Sequence, residues 1–315
     1  MYDPDNTIII GAGLAGMLAA EAFPSCTIME AAEKVHPHKA LLRFRDESVS
    51  NLTRIKFKKV EVHKSIFSGG VLRDRCDIGD ANSYSIKTTQ SIIDRSIWNL
   101  DPVVRYIAPP DFHETLLERH ETRIHYGCPV LKYSIYPNSS MSYINTAPLP
   151  AIMEACDMEF GADFNFERRG VRVDRYQLPE GTDVYQTVYF PDLDTNIFRA
   201  SITKDVLIIE SMADEMGPPE NPHFLAARAF SISSQLGKIK HLDSSTLEYG
   251  KIIDLPKPTR EAILYKLTRE YSVFSLGRFA CWRNILLDDV VKDLEFITHL
   301  MDASEYRRER IVLGR

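Results

Sequence analysis

The chain has 315 residues, of which 44% are hydrophobic and 26% charged, and it carries a formal net charge of −6. That length supports one large domain or two smaller ones with a full apolar core, while the acidic balance excludes polyanion binding by the whole surface. No apolar run reaches the roughly 20 residues of a membrane span, no basic and apolar leader precedes the first strand, and Cys26, Cys76, Cys128, Cys156 and Cys281 show no C-x-x-C pair; these features predict a cytoplasmic protein with reduced thiols and no metal centre.

Residues 7–10 read as a short β-branched strand that runs into Gly11-Ala12-Gly13-Leu14-Ala15-Gly16, and a second strand over 26–30 ends at Glu30. The spacing is that of a dinucleotide fingerprint. Gly11 permits the tight turn, Gly13 lets the backbone approach a pyrophosphate, and Gly16 lets the helix pack close to the sheet. The N–H groups at Leu14 and Ala15 then open a helix whose positive end faces phosphate. Glu30 lies nineteen residues after Gly11, near the spacing at which a carboxylate accepts from ribose hydroxyls, with Ala31 beside it. That carboxylate disfavours a 2′-phosphate.

Residues 31–50 show no clean period and contain Pro37, which predicts an irregular crossover. A strand is expected over 55–63 with a face change inside it, followed by a hairpin turn at Gly69-Gly70. Charge is uneven here: from Arg43 to Arg75 there are nine Lys or Arg against four Asp or Glu, a net of +5 that leaves −11 for the rest. Helices are predicted over 82–98 and over 111–121, the second capped by Asp111. Strands follow over 123–135 and 142–146. Prolines at 148 and 150 interrupt the ladder and suggest a boundary near 150.

Strands over 171–176, 184–190, 196–203 and 206–210, separated by Pro179-Glu180-Gly181 and Pro191-Asp192, predict an antiparallel sheet. Helices are expected over 224–236 and 259–270. The predicted fold class is α/β: a Rossmann-like nucleotide-binding domain (1–48, 121–150 and 250–315) interleaved with a substrate domain built on an antiparallel sheet plus helices (49–120 and 151–249).

Three further segments carry a resemblance. Tyr143-Ile144-Asn145-Thr146-Ala147-Pro148-Leu149-Pro150, Phe190-Pro191-Asp192-Leu193-Asp194-Thr195-Asn196-Ile197-Phe198-Arg199 and Leu276-Gly277-Arg278-Phe279-Ala280-Cys281-Trp282-Arg283-Asn284-Ile285-Leu286-Leu287-Asp288-Asp289 resemble the FAD superfamily of amine oxidases, D-amino-acid oxidases and UDP-galactopyranose mutases. Many of its members open with the glycine fingerprint, which favours FAD over NAD. The resemblance implies that Arg278, after Gly277, meets the pyrophosphate, and that the backbone around Leu287 and Asp288 approaches the flavin pyrimidine edge. It also implies that the backbone of Val130, on an expected strand over 128–131, meets adenine. Thr146 falls where the chain returns from the flavin domain to the substrate domain.

The chain departs from that superfamily after Glu30. It lacks the usual Gly-Gly pair, and the mutase match lacks its histidine-containing glycine loop; in their place stands Val35-His36-Pro37-His38-Lys39-Ala40-Leu41-Leu42-Arg43-Phe44-Arg45. With Asp46-Glu47-Ser48-Val49-Ser50 and the basic strand after it, this tract resembles bacteriophage FAD enzymes of thymidine hypermodification. In those pathways an amino acid is attached to the thymine methyl carbon in DNA and a flavin enzyme trims the adduct. The resemblance implies a phage protein in the host cytoplasm that acts as an oxidase or lyase on modified DNA.

Arg199 is the first candidate to clamp a substrate carboxylate, since guanidinium binds carboxylate through two bonds; an exposed strand arginine is the alternative. Trp282 could wall the site and Arg283 could face substrate, or they could be a core tryptophan beside a surface arginine. A duplex base must be extruded to reach a flavin, and phosphates need a positive track. Arg43, Arg45, Arg54, Lys56, Lys58 and Lys59 are the DNA-binding candidates, supported by Arg168, Arg169, Arg172 and Arg175, with a solvated strand face as the alternative. His36 and His38 lack a third ligand at metal spacing. Tyr133, Tyr136 and Tyr143 could stack on adenine or substrate, or simply pack. Two other classes stay open: a small-molecule flavoenzyme, either amine oxidase or sugar-nucleotide mutase, and a non-catalytic module that retains FAD.

Overall fold

The computed structural model describes residues 3, 6–35, 42–94, 97–132, 134–158, 166–213 and 221–302; His36, Pro37, His38 and Tyr133 lie outside them. In chain order the elements are β1 (Thr7–Ile10), α1 (Leu14–Ala22), β2 (Thr27–Met29), β3 (Arg43–Phe44), α2 (Ser48–Thr53), β4 (Lys58–Ser68), β5 (Val71–Arg73), α3 (Ile78–Thr89), β6 (Val103–Ile107), α4 (Phe112–His120) and β7 (Ile124–His125). They continue with β8 (Ser142–Asn145), α5 (Leu149–Ala155), β9 (Arg168–Gln177), β10 (Val184–Tyr189), β11 (Ile197–Lys204), β12 (Val206–Met212), α6 (Pro222–Ala229), β13 (Lys240–Ile252), α7 (Lys257–Tyr271), β14 (Val273–Ser275) and α8 (Leu287–Asp302).

Five strands form one sheet in the order β14-β8-β1-β2-β7, and every pair in it is parallel. Parallel strands need crossovers, and these cover both faces. On one face α1, α4 and α8 pack Met17, Leu18, Leu116 and Leu294 around Ile9, Ile28 and Ile144. On the other, α5 and α7 bring Ile152 and Leu267 to Ile10 and Val273. Chain order reverses between β1 and β8, so the crevice at their carboxyl ends is the topological switch point, where open α/β sheets take ligands.

The second sheet runs β13-β9-β12-β11-β10-β4-β6-β3, with β5 paired to β4. It is antiparallel except between β10 and β4. Its outer face carries Tyr176, Val188, Ile202 and Leu207 against Ala226 and Ala229 of α6. Its inner face carries Val173, Phe198 and Ile208 against Ala81 and Tyr84 of α3. The sheet curls. Arg43 on the edge strand β3 reaches back past β6 and β4 to hydrogen-bond Thr187 on β10 and Thr203 on β11.

Several expectations are corrected. The helix expected over 82–98 spans 78–89, because Asp77 and Asp80 form a capping box that fixes its start and Gln90 ends it in a left-handed cap; Ile92 and Ile93 stand exposed rather than on a stripe. Asp111 makes no side-chain cap. The strand expected over 55–63 begins at Lys58 and continues to Ser68. Among the described residues of the expected strand over 123–135, only Ile124 and His125 join the sheet, since Gly127 at positive φ bends the chain out of the ladder. Val130 therefore sits in a loop. Pro150 lies in the first turn of α5, where its missing N–H costs no helix bond, so it permits a helix there. The helix expected over 224–236 stops at Ala229, and Ser231 is left-handed. The thirteen-residue strand β13 has no apolar alternation to reveal it, being a mostly exposed edge with two register shifts.

Candidate functional site

The switch point is built around the glycine turn. The Gly11 N–H donates to the Met29 carbonyl at 2.7 Å, and the Thr146 hydroxyl and N–H both donate to the Ile10 carbonyl, at 2.6 and 2.9 Å. A Cβ on Gly11, whose φ is +96°, would stand 2.5 Å from the Thr146 hydroxyl oxygen, and one on Gly16 would stand 1.9 Å from the Gly11 carbonyl oxygen. Both positions demand glycine for packing. Gly13 differs: a Cβ there would meet nothing within 4 Å, so the space above the N-terminus of α1 is open.

Glu30 stands beside that space. Its carboxylate accepts from the N–H of Ala12 at 2.7 Å and of Ala32 at 2.9 Å, which fixes it at the end of β2 with lone pairs to spare. Ala31 is exposed next to it. Beneath the turn, buried His113 of α4 places Nε2 3.2 Å from the Ala12 carbonyl, and burial holds its pKa below the ordinary histidine value. A lone histidine on an amphipathic helix gave no sign of this role. Asn145, fully buried, closes the turn at Thr146 through two bonds with Ala147.

The C-terminal segment comes to the same place. Gly277, with φ +90°, would bring a Cβ to 3.0 Å from the Ala15 side chain, so the turn before Arg278 lies against the first residues of α1. Arg278 Nη1 reaches the Gly250 carbonyl on β13 at 3.4 Å. At the start of α8, Asp288 is buried and accepts from the Arg45 backbone N–H and, at 3.0 Å, from its side chain, while Asp289 takes a second Arg45 nitrogen at 2.6 Å. Leu287 packs partly buried against the core beneath. Arg45 thus ties the strand β3 to the N-terminus of α8. The residues present fit a dinucleotide: an open glycine turn, a helix N-terminus and a carboxylate at ribose distance along the chain.

The inner face of the curled sheet connects to this region through β3, where Arg43 lies two residues before Arg45. Arg199 on β11 is bound by both carboxylate oxygens of Glu210 on β12. Burial pushes the Glu210 carboxyl up, but the charge and bonds of Arg199, with Lys251 and Arg43 beyond it, bring it below the usual range. The carboxylate that Arg199 holds is therefore the chain's own. Arg43 donates to the Thr187 and Thr203 hydroxyls and to the carbonyls of Gln186 and Ile202. Burial, with the charge of Arg199, pulls its guanidinium down to about 9.

The geometry corrects several assignments. Arg43 belongs to no surface phosphate track, because the curl of the sheet turns it inward. Arg45 is taken by Asp288 and Asp289, and Lys58 by Asp183 and Tyr185. Arg54, Lys56 and Lys59 are exposed. Among the supporting arginines, Arg168 pairs with Glu248 and Arg172 with Asp174. Trp282 is fully buried, edge-on to Phe166 and Tyr249, so it is packing rather than an open wall. Arg283 is held by both oxygens of Asp293. A cavity of about 430 Å³ lies beside this aromatic group, lined by Thr89, Gln90, Phe166, Arg169 and Ile253 among others.

No known family's sequence model matches the chain, and none of the curated proteins matches it in sequence. Among solved structures, reduced UDP-galactopyranose mutase superposes with a TM-score of 0.63 at 13% identity, over 99% of this chain and 96% of that one. The two chains share one fold. A fatty acid isomerase from P. acnes that produces CLA superposes at 0.58, with 10% identity over 95% of this chain and 99% of its own. Aklavinone-11 hydroxylase, solved with FAD and aklavinone, superposes at 0.52, with 11% identity over all of this chain and 64% of its own.

Proposed function

We propose that the protein is an FAD-dependent enzyme, an oxidoreductase or a lyase, with the cofactor held at the switch point between β1 and β8. The observation that carries this is the turn itself: Gly11 and Gly16 are packed against backbone and Thr146, whereas Gly13 faces open space above the N-terminus of α1 and beside Glu30. In this reading the N–H groups of Gly13, Leu14 and Ala15 receive the pyrophosphate, Glu30 and Ala31 the ribose, and Arg278 completes the phosphate contact. Val130 lies at the adenine end, and the α8 N-terminus at Leu287 and Asp288 is the flavin edge.

Bound FAD would supply acceptance of a hydride from a carbon bearing a neutral amine, with water then hydrolysing the imine of the substrate. The chain's part is to hold that carbon and to exclude bulk water. The test is the visible spectrum of the purified protein before and after incubation with FAD. Flavin bands that co-purify or are reconstituted at one per chain are expected; a colourless protein that takes up no FAD would overturn the reading.

A second, finer reading makes the substrate an amino-acid adduct of thymidine in DNA. Exposed Arg54, Lys56 and Lys59, clustered ahead of and on β4, favour it, since cations are what a phosphate backbone requires. Anaerobic mixing with DNA carrying an amino-acid-modified thymine would bleach the flavin; bleaching by free amines alone would remove DNA from the reading.

A further inference from the structure

The inner face of the curled sheet gathers cations in excess of its acids. Register places Arg43 opposite Ile107, Arg105 opposite Val60, Lys64 opposite Thr187 and Arg199 opposite Glu210. Side chains two apart along a strand share a face, so Arg43, Arg105, Lys64, Thr187, Ser201, Thr203, Arg199 and Glu210 all turn inward. The hydrogen bonds from Arg43 to the Thr187 and Thr203 hydroxyls, and from Thr187 to Ser201, agree with that placement.

Among the described residues, Glu210 is the one buried carboxylate on that face, and Arg199 occupies both its oxygens. Every acceptor recorded for the other three cations is neutral. Arg43 meets two hydroxyls and two carbonyls, Lys64 Nζ meets the Asn99 carbonyl at 2.5 Å, and Arg105 Nη1 meets its neighbour Val104's carbonyl at 2.7 Å. Asp101 lies near Lys64 but is exposed. Half-buried like charges that share a low-dielectric surface repel one another, and burial adds to the cost. The pKa values of Arg43 and Lys64 are both lowered, by burial first and then by the neighbouring guanidinium, Arg199 for one and Arg105 for the other.

The position of this charge gives it a use. Arg43 is two residues from Arg45, whose backbone and side chain bond Asp288 at the start of α8. The cationic face therefore opens next to the helix end assigned above to the flavin edge. Its far end is covered by α3, where Tyr84 packs edge-on against Tyr189 and Phe198.

We infer that this inner face is the anion subsite for the substrate, taking a small molecule that presents a carboxylate or phosphate group to Arg43, Lys64 and Arg105. The inference rests on the flavoenzyme reading for its mechanism, though not for its charge. An anion there supplies a charged acceptor where the three cations meet only neutral ones, in charge-assisted bonds to guanidinium and ammonium.

The test uses the FAD-loaded protein. Acetate and inorganic phosphate are titrated separately at ionic strength held constant with chloride, and the melting temperature and flavin absorbance are followed. One of the two anions is expected to raise the melting temperature saturably and to perturb the flavin band, and that one names the substrate's anionic group. Lys64→Gln and Arg105→Gln should each weaken the effect about tenfold or more, whereas Lys266→Gln, on the exposed side of α7, should not. Arg43 is left intact because it ties β3 to β10 and β11.

A response no larger than that of chloride, or one equally lost in Lys266→Gln, would overturn the subsite. A duplex oligonucleotide that displaces the small anion, with an affinity lost in Lys56→Gln and Lys59→Gln, would overturn the small-molecule commitment. Failure of the two readings is distinguishable: FAD uptake with no saturable anion effect refutes the subsite alone. Saturable phosphate or acetate binding, sensitive to Lys64→Gln, in a protein that takes up no FAD refutes the flavoenzyme alone.

Discussion

Substituting Gly13 by alanine separates a phosphate-binding turn from an ordinary strand-to-helix turn. Gly13 has φ −70° and ψ 178°, a region open to any L-residue, and an added Cβ would meet no atom within 4 Å. Two small effects oppose each other in the FAD-free protein. Alanine is a poorer N-cap than glycine by about 0.5–1 kcal/mol, and it reduces unfolded-chain entropy by about 0.4–1 kcal/mol. They cancel to within about 0.5 kcal/mol, which in a chain of this size moves the melting temperature by no more than about 2 °C.

Cofactor binding has no such cancellation. The methyl group would stand where a phosphate oxygen must come to meet the N–H groups of α1, and losing one charge-assisted hydrogen bond costs about 1.5–3 kcal/mol. That corresponds to FAD affinity weaker by about 10- to 150-fold. Flavin fluorescence titration measures the affinity, and thermal unfolding followed by circular dichroism measures the FAD-free protein. An unchanged FAD affinity would refute the turn as the phosphate site, and a drop of more than about 5 °C without FAD would show that the space above Gly13 is filled.

Gly16→Ala should behave in the opposite way, because its Cβ would lie 1.9 Å from the Gly11 carbonyl oxygen; helix and turn must separate, and chemical denaturation should show a loss of at least about 3 kcal/mol with or without FAD. Glu210→Gln leaves half-buried Arg199 without its carboxylate and should cost about 2–3 kcal/mol in urea unfolding, less than for a fully buried pair because solvent still reaches the guanidinium, while Arg199→Met combined with Glu210→Met should recover much of that. The pH dependence has a definite sign: the Glu210 pKa is lowered in the folded state from the ordinary 4.5, so its stabilisation is present above that value and is lost as pH falls through the folded value. Glu210→Gln should therefore flatten the acid limb of a stability–pH curve. Gly277→Ala forces a side chain into φ +90° within 3.0 Å of Ala15, and should lower stability by about 1–2 kcal/mol while weakening FAD binding.

Local chemistry made much of the cofactor unit legible in one dimension. The strand before Gly11, the turn, α1 and the carboxylate at Glu30 are contiguous, and glycine spacing and apolar runs report local backbone needs. The structure places the Gly277 turn beside Ala15 and Asn145-Thr146 beside Ile10, which agrees with the order of the resembling segments. The antiparallel strands over 168–212 were legible because runs of β-branched and aromatic residues are punctuated by Pro179-Glu180-Gly181 and Pro191-Asp192. Where an element has no apolar alternation, as in β13, or where caps rather than periodicity set its ends, as in α3, the pattern carried no signal.

The fate of the basic stretch was decided only in three dimensions. Between Arg43 and Lys64 a linear count shows positive charge and nothing more. Strand periodicity assigns alternate residues to opposite faces, and curling the sheet makes one of those faces an interior. Arg43, Arg105 and Lys64 fall on the inside, Lys56 and Lys59 stay in solvent, and Arg45 is captured by two aspartates 243 and 244 residues away. Charge along a chain is a local property, but its compensation depends on which distant acid the fold brings within reach. For the same reason Arg199 met Glu210 across a strand pair, a contact that no spacing rule in the sequence encodes.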